Sequence, residues 1–342
     1  MQGINLGWLL LSLLSIGVKA ESFSQLTLHN DQVELHITPA IGGRVVGFNL
    51  KGHENFLKVG TPFKQGIRPD VSPTTDNIGY LGHIVWVGPQ SQWWRKQQLN
   101  LQRYQNSAVW PPDPYLTFTD NKIVKHSPSE VVLEGAASPI SGMQINKTFR
   151  LDPVNPNKVQ LSATGVNISQ QNHSWDLWFN TRVNIDTHVI VPVNRQQDIR
   201  LVSFENTHTG PINYRYSEQY LILDSSQFER QKPANQGKLY IRPKQGWMAG
   251  YRQGQLFIIQ FPLLATELIH PEQAQVELYA SYAQSNTEKG LIEMELHSPF
   301  RDLAPSDSIQ FSSNWYLYEY PADFSQQDIL AMLANKIKLL AL

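Results

Sequence analysis

No cysteine occurs among the 342 residues. Disulfide scaffolds, thiolate metal sites, thiol nucleophiles and thioether lipid anchors are therefore excluded. Charge is sparse and balanced: charged residues make up 17%, with 28 Lys+Arg against 29 Asp+Glu and a formal net charge of −1. Such a chain has no global electrostatic pull toward nucleic acid or an anionic membrane. Gly-rich phosphate loops, a GxSxG elbow and HExxH are also missing, and the ten His are scattered without metal-ligand spacing. Neither a cofactor nor a metal is expected. Aromatic residues are what the chain has in quantity, with nine Trp, 13 Tyr and 14 Phe in a 41% hydrophobic composition. That is a globular chain with ample material for a core.

The first twenty residues stand apart. Ile4 to Val18 form an apolar run followed by Val18-Lys19-Ala20, with small residues where a leader peptidase reads them. The run is shorter than the roughly 20 residues that span a bilayer. The expectation is a secretion signal at 1–20, a periplasmic or secreted protein, no transmembrane segment after cleavage, and one domain over 21–342.

Period-2 alternation then recurs. Val33, Leu35 and Ile37 alternate with Glu34 and His36, and Val159, Leu161 and Ala163 with Gln160, Ser162 and Thr164. Met143, Ile145, Phe149 and Leu151 share a register in which Lys147 is the one polar member, and Ile309, Phe311, Trp315 and Leu317 form another. These read as strands of antiparallel sheets with one buried and one wet face. Turn chemistry separates them at Asp152–Asn157, Lys232–Gly237 and Arg252–Gln255. Residues 60–115, dense in Pro, Gly and Trp, read as long ordered loops. Ser325 to Leu340 reads as a helix with Ser325 as N-cap and an apolar stripe of Ile329, Leu330, Leu333, Ile337 and Leu340. The expected fold is all-β: a large antiparallel β-sandwich with a C-terminal helix packed on the outside of a sheet.

Three constellations carry possible chemistry. In Ile292-Glu293-Met294-Glu295-Leu296-His297 the alternation puts Glu293, Glu295 and His297 on one strand face, roughly 6.5–7 Å apart at Cα. Groups so placed couple their titrations, as acid–base catalysis requires; the plain alternative is a solvated face. From Gly82 to Trp94, His83 with Trp86, Trp93 and Trp94 suits sugar recognition, because aromatic faces pack against pyranose C–H groups. For each Trp the alternative is a core plug. Ile41-Gly42-Gly43-Arg44 offers unusual backbone beside a guanidinium fork, or simply a bulge with a surface Arg.

In chain order, Thr38-Pro39-Ala40-Ile41-Gly42-Gly43-Arg44 with Phe48, Gly82-His83 with Trp86 and Pro89, Lys147–Leu151 followed by Val166-Asn167-Ile168-Ser169, Trp178-Phe179-Asn180-Thr181, and Glu293-Met294-Glu295 with Pro299, Leu303, Pro305 and Trp315 together resemble the galactose-mutarotase-like superfamily and, within it, the DUF4380 group. The resemblance implies a β-supersandwich whose concave face binds carbohydrate. In sugar mutarotases a Glu near the C-terminal end takes the anomeric hydroxyl proton and a His protonates the ring oxygen. Glu293 or Glu295 falls where that Glu would be. The stretch Trp178–Thr181 has no His where mutarotases carry one, which leaves His83 or His297 for the acid role, and Ser306 replaces a turn Gly.

The resulting expectation is a saccharide-binding protein, with Trp86, Trp93 or Trp94 stacking on the sugar and Arg44 on hydroxyls or a uronate. If it is a mutarotase or epimerase, Glu295 is the base and His83 its acid partner, with Glu293 and His297 tuning Glu295. A non-catalytic saccharide- or partner-binding module and a lyase on uronate-containing glycans are the alternatives.

Overall fold

The computed structural model describes residues 22–228, 231–320 and 326–340. The expected leader at 1–20 and the expected N-cap Ser325 lie outside the described residues. Two large sheets face each other. The 11-stranded sheet runs Leu26–His29, Val33–Thr38, Arg44–Leu50, His83–Gly88, His173–Asn184, Leu291–His297, Val276–Ala283, Ala234–Ile241, Ile199–Ser203, with two short strands attached off this path. The 10-stranded sheet runs Tyr214–Ser217, Tyr220–Leu223, His188–Pro192, Trp247–Arg252, Gln255–Gln260, Ser308–Glu319, Lys158–Asn167, Met143–Leu151, Glu130–Glu134, Lys122–Ser127. All pairings along these two paths are antiparallel.

The alternating residues read from the sequence line the space between the sheets. Leu35, Ile37, Met143, Ile145, Val159, Leu161, Met294, Phe311 and Trp315 are buried in one continuous apolar cluster. Lys147 follows its register inward and is 4% exposed, its ammonium donating to the Gly42 carbonyl. Burial and the nearby Arg44 charge bring that ammonium down to about 7.

Two sequence expectations need correcting. Residues 60–115 contain the strand His83–Gly88, every residue of which is buried. A strand covered on both faces loses the wet-face alternation by which strands are recognised. Likewise, Ala234 to Gly237, read as turn, belong to the strand Ala234–Ile241. The other two turns lie between paired strands as expected, and Gln253 and Gly254 take φ 46° and 74° in the two-residue link between Trp247–Arg252 and Gln255–Gln260.

The helix Gln326–Leu339 lays Ile329, Leu330, Leu333 and Ile337 on Ile190, Trp247, Tyr251, Ile258 and Tyr316. Those sheet residues alternate with the ones facing the interlayer, so the helix covers the outer side of the 10-stranded sheet. Among the described residues no helix is long and apolar enough to cross a membrane.

Glycine is required where the chain turns into the Arg44–Leu50 strand. Ile41, Gly42 and Gly43 take φ 51°, 81° and 60°, and a Cβ on Gly42 would lie 2.6 Å from the Thr117 carbonyl oxygen. Only a residue without a side chain fits both the dihedral and the approach.

Candidate functional site

Register decides which side chains meet. Along Leu291–His297, Glu293 pairs with Arg182, Glu295 with Asn180 and His297 with Trp178 of the His173–Asn184 strand. On the other side Glu277 lies opposite Glu295 and Tyr279 opposite Glu293, and the next strand brings Lys238 opposite Tyr279 and Tyr240 opposite Glu277. Paired residues share a face. Glu293, Glu295, His297, Glu277, Lys238, Tyr240, Trp178, Asn180 and Arg182 therefore stand together on the side turned away from the second sheet.

The expected wet face is instead enclosed: Glu295 and His297 are both 0% exposed. Polar and charged neighbours surround them, although His297 Nε2 has no hydrogen-bond partner among the described residues. The Lys238 ammonium lies 2.6 Å from Glu277 Oε2 and 2.7 Å from Glu295 Oε2. His297 Nδ1 lies 2.8 Å from Asp176 Oδ2 and 2.9 Å from the Gln273 amide nitrogen, and its Nε2 is 3.6 Å from Glu277 Oε1. The Asn180 amide donates to Glu295 Oε1 at 2.9 Å and to Glu293 Oε2 at 3.1 Å. Arg182 Nε donates to Glu293 Oε1 at 2.8 Å. Gly88 makes room, since a Cβ there would sit 2.3 Å from Asp176 Oδ1 and 2.5 Å from the Gln273 amide.

These contacts drive the two adjacent carboxyls apart. Burial, reinforced by Glu293 and Glu277, pushes Glu295 well above the usual carboxylate value in spite of Lys238. Burial would raise Glu277 too, but Lys238 and His297 outweigh it and hold that carboxyl at about 2. His297 would be depressed by burial; Asp176 and Glu277 outweigh that and raise it to about 10. Glu293 stays below its ordinary value because Arg182 overcomes its burial. Lys238, opposed by its own burial, is raised by Glu277 and Glu295. The two neighbouring carboxyls are thus displaced in opposite directions, Glu295 upward and Glu277 downward, with the Lys238 ammonium and the His297 imidazole facing Glu277.

Glu277, Glu295 and His297 have ligand atoms within 4.8 Å of one another, a grouping that suits a metal ion. The Lys238 ammonium already bridges the two carboxyl groups, so a metal there would have to displace a tightly held cation. The donor set fits the lysine better than a metal.

A cavity of about 310 Å³ opens over this cluster, lined by Trp178, Lys238, Tyr240, Glu277 and Gln273, with Pro89, Gln90, Ser91, Val109, Val202, Phe204 and Glu272 around them. Lys238 Nζ lies 4.6 Å above the Trp178 ring. Beside Val109, Trp110 is 50% exposed and 6.3 Å from Trp93 by ring centroids. The cavity thus pairs aromatic surface with charged groups at its wall.

Of the residues expected from the sequence, Glu293, Glu295 and His297 come together as read. His83 does not join them. It pairs with Thr181, its Nδ1 2.9 Å from the Thr181 hydroxyl, and its ring meets Trp315 of the second sheet at 4.9 Å. It therefore faces the interlayer, with a sheet between it and Glu295. There burial, then Lys147 and two arginines, depress its imidazole well below 6.5. A buried neutral His behind the sheet cannot be the acid partner of Glu295.

Arg44 is also misplaced by the sequence reading. It is 2% exposed, donates to the carbonyls of Leu81 (2.7 Å) and Thr117 (3.4 Å), and lies over Tyr80 rather than on the cavity wall. Burial and Arg182 lower its guanidinium to about 9.

The three expected sugar-stacking tryptophans are buried as well. Trp94 sits under Arg103 with its Nε1 on the Pro111 carbonyl, and Trp93 donates to Val87 O and stacks on Trp178 at 5.7 Å. Trp86 is enclosed by Trp93, Trp178 and Arg182. None lines the cavity; Trp86 and Trp93 buttress Trp178, which does.

The family described as "Domain of unknown function (DUF4380)" matches residues 23–318. No curated protein matches the sequence. Among solved structures, a galactose mutarotase-like protein from Lactobacillus casei ATCC 334 is similar at TM-score 0.54 and 12% identity, covering 86% of this chain and 100% of that one. A putative aldose 1-epimerase from Klebsiella pneumoniae gives 0.53 and 12%, covering 89% and 82%, and the GalM/aldose epimerase homologue from C. elegans 0.51 and 12%, covering 88% and 100%. At such identities these likenesses establish the fold, which is galactose-mutarotase-like.

Proposed function

The chain belongs to the DUF4380 family, and on that premise, with the cavity over Trp178, we propose that it binds a saccharide on the outer face of its 11-stranded sheet. One observation carries this reading: an aromatic ring, Trp178, and charged hydrogen-bonding groups, Lys238 and Glu277, line a single cavity of about 310 Å³. Sugars need that combination, a flat apolar surface for C–H groups with fixed polar partners for hydroxyls. Calorimetric titration with D-galactose, D-glucose and D-galacturonate tests it. Trp178→Phe should weaken binding about tenfold, or about 1.4 kcal/mol, while Trp94→Phe leaves it unchanged. Absence of heat with all three sugars, or equal losses in the two variants, would reject the reading.

A finer reading, isomerisation at the anomeric carbon, is favoured by the opposed protonation of Glu277 and Glu295. Neighbouring groups whose environments separate their proton affinities make an acid and a base. Glu277, on the cavity wall, takes the anomeric hydroxyl proton as the bond from the anomeric carbon to the ring oxygen breaks. The ring oxygen takes a proton from the Lys238 ammonium, whose hold on its protons weakens once Glu277 is neutral, and the Glu295 carboxyl resupplies it. Reclosure on the other face of the carbonyl reverses the transfers. No cofactor takes part in this scheme. For uronate-lyase chemistry the cation at hand is Lys238, since Arg44 lies outside the cavity.

The secretion signal at 1–20 belongs to the same proposal, and it places the single domain 21–342 in the periplasm or outside the cell. Mass spectrometry of the exported protein should find Glu21 at its N-terminus. An exported form that keeps Met1 would refute it.

A further inference from the structure

A second and larger cavity, of about 750 Å³, lies beside the first. It is lined by Arg242, Leu263, Thr266, His270, Gln273 and Phe300 among others. Gln273 belongs to both walls. Its amide also lies 2.9 Å from His297 Nδ1, so the partition between the cavities is tied directly to the charged cluster. The two cavities are neighbours, with Gln273 standing between them.

A single hexose is accommodated by the smaller part, and the larger part would be superfluous for it. The chemistry of the larger part is nevertheless that of a carbohydrate surface. The rings of His270 and Phe300 meet edge to face at 4.7 Å, with Leu263 and Leu264 beside them, forming an apolar shelf. Arg242, Glu267 and Thr266 stand around that shelf with hydrogen-bonding capacity. Leu263 is 51% exposed, so the shelf is open to a ligand without unfolding anything.

We propose that the 750 Å³ cavity is a second saccharide subsite, and that the ligand is an oligosaccharide whose terminal unit sits over Trp178 while the following units lie on the Phe300 shelf. This rests on the saccharide reading of the smaller cavity and names its substrate class. Gln273 stands at the junction, where the glycosidic linkage passes from one part to the other.

Calorimetric titration with linear homo-oligomers of one to four units of galactose, glucose or galacturonate tests the subsite. The expected result is that the trimer binds the unmodified protein at least about tenfold more tightly than its monomer, a step of about 1.4 kcal/mol. Thr266→Trp, an exposed position on the larger cavity, should remove that advantage and leave monomer affinity within about twofold. Phe300→Ala provides the same readout by deletion instead of blockage. Equal affinity for monomer and trimer in the unmodified protein would overturn the subsite while leaving the saccharide reading intact. So would an advantage that persists in both variants. Failure of every monomer and oligomer to bind would overturn both readings together.

Discussion

Replacing Lys238 by Met should destabilise the protein by about 3–5 kcal/mol, the usual consequence of removing one partner from a buried ion pair. Lys238 is the shared cation of two buried carboxyls, Glu277 and Glu295. Without it, Glu277 loses the largest influence that keeps it ionised. The sign of the pH response then changes. In the unmodified protein the lowered Glu277 carboxyl contributes stability that is present above its unfolded value and lost as pH falls through about 2. In Lys238→Met the already raised Glu295 carboxyl loses its attractive charge while His297 still faces Glu277, so the Glu295 penalty grows at neutral pH and is relieved on acidification. Thermal unfolding between pH 8 and 5 reads both effects. A loss below about 1 kcal/mol, or a variant that gains nothing on acidification, would contradict the ion-pair account. Glu295→Gln provides the control, because burial already disfavours the Glu295 carboxylate and an amide of the same shape replaces it with little loss.

Glu277→Gln should lower the anomerisation rate by roughly 10²–10⁴-fold, the range for removing a positioned general base. Affinity for the sugar should stay within a few-fold, since the amide keeps the shape and hydrogen-bonding reach of the carboxylate. The decay of optical rotation of freshly dissolved α-D-galactose measures the rate directly. His83→Gln should leave that rate unchanged, because His83 lies behind the sheet. If the unmodified protein never exceeds the spontaneous rate with any sugar it binds, the isomerase reading falls and saccharide binding alone remains.

These residues show how far sequence patterns carry. Alternation in Ile292–His297 correctly placed Glu293, Glu295 and His297 on one face, because side-chain direction in a strand depends only on position. The same count fails at His83 for want of a strand: once His83–Gly88 is known to be one, His83 and Trp86, three residues apart, must point to opposite sides. Burial of both faces hid that strand among Pro- and Gly-rich neighbours. Glu277 and Lys238 were missed because what brings them to the cluster is register with Leu291–His297, a property of pairing across long stretches of chain. The alternation of Val276-Glu277-Leu278-Tyr279 and of Lys238-Leu239-Tyr240 was available as a signal. Trp178 was quoted only for a missing His, yet it lines the cavity together with Tyr240 and Phe204. Overall sheet character, the outer helix and the inward register of Lys147 were legible, since each follows from local periodicity.

The placement of the C-terminal helix divides labour within the molecule. It seals the outer side of the 10-stranded sheet, whereas the charged cluster and the cavity over Trp178 lie on the outer side of the 11-stranded sheet. Two sheets and a continuous apolar layer separate them. Substitutions that tune the helix seam therefore act on the lifetime of the fold, and, on the saccharide reading, substitutions of cavity residues outside the buried ion pair act on what is recognised. Mutations at such distant sites add nearly independently. Selection can thus alter ligand choice on one side and make good the lost robustness on the other, which gives this scaffold latitude to diversify its recognition without surrendering its architecture.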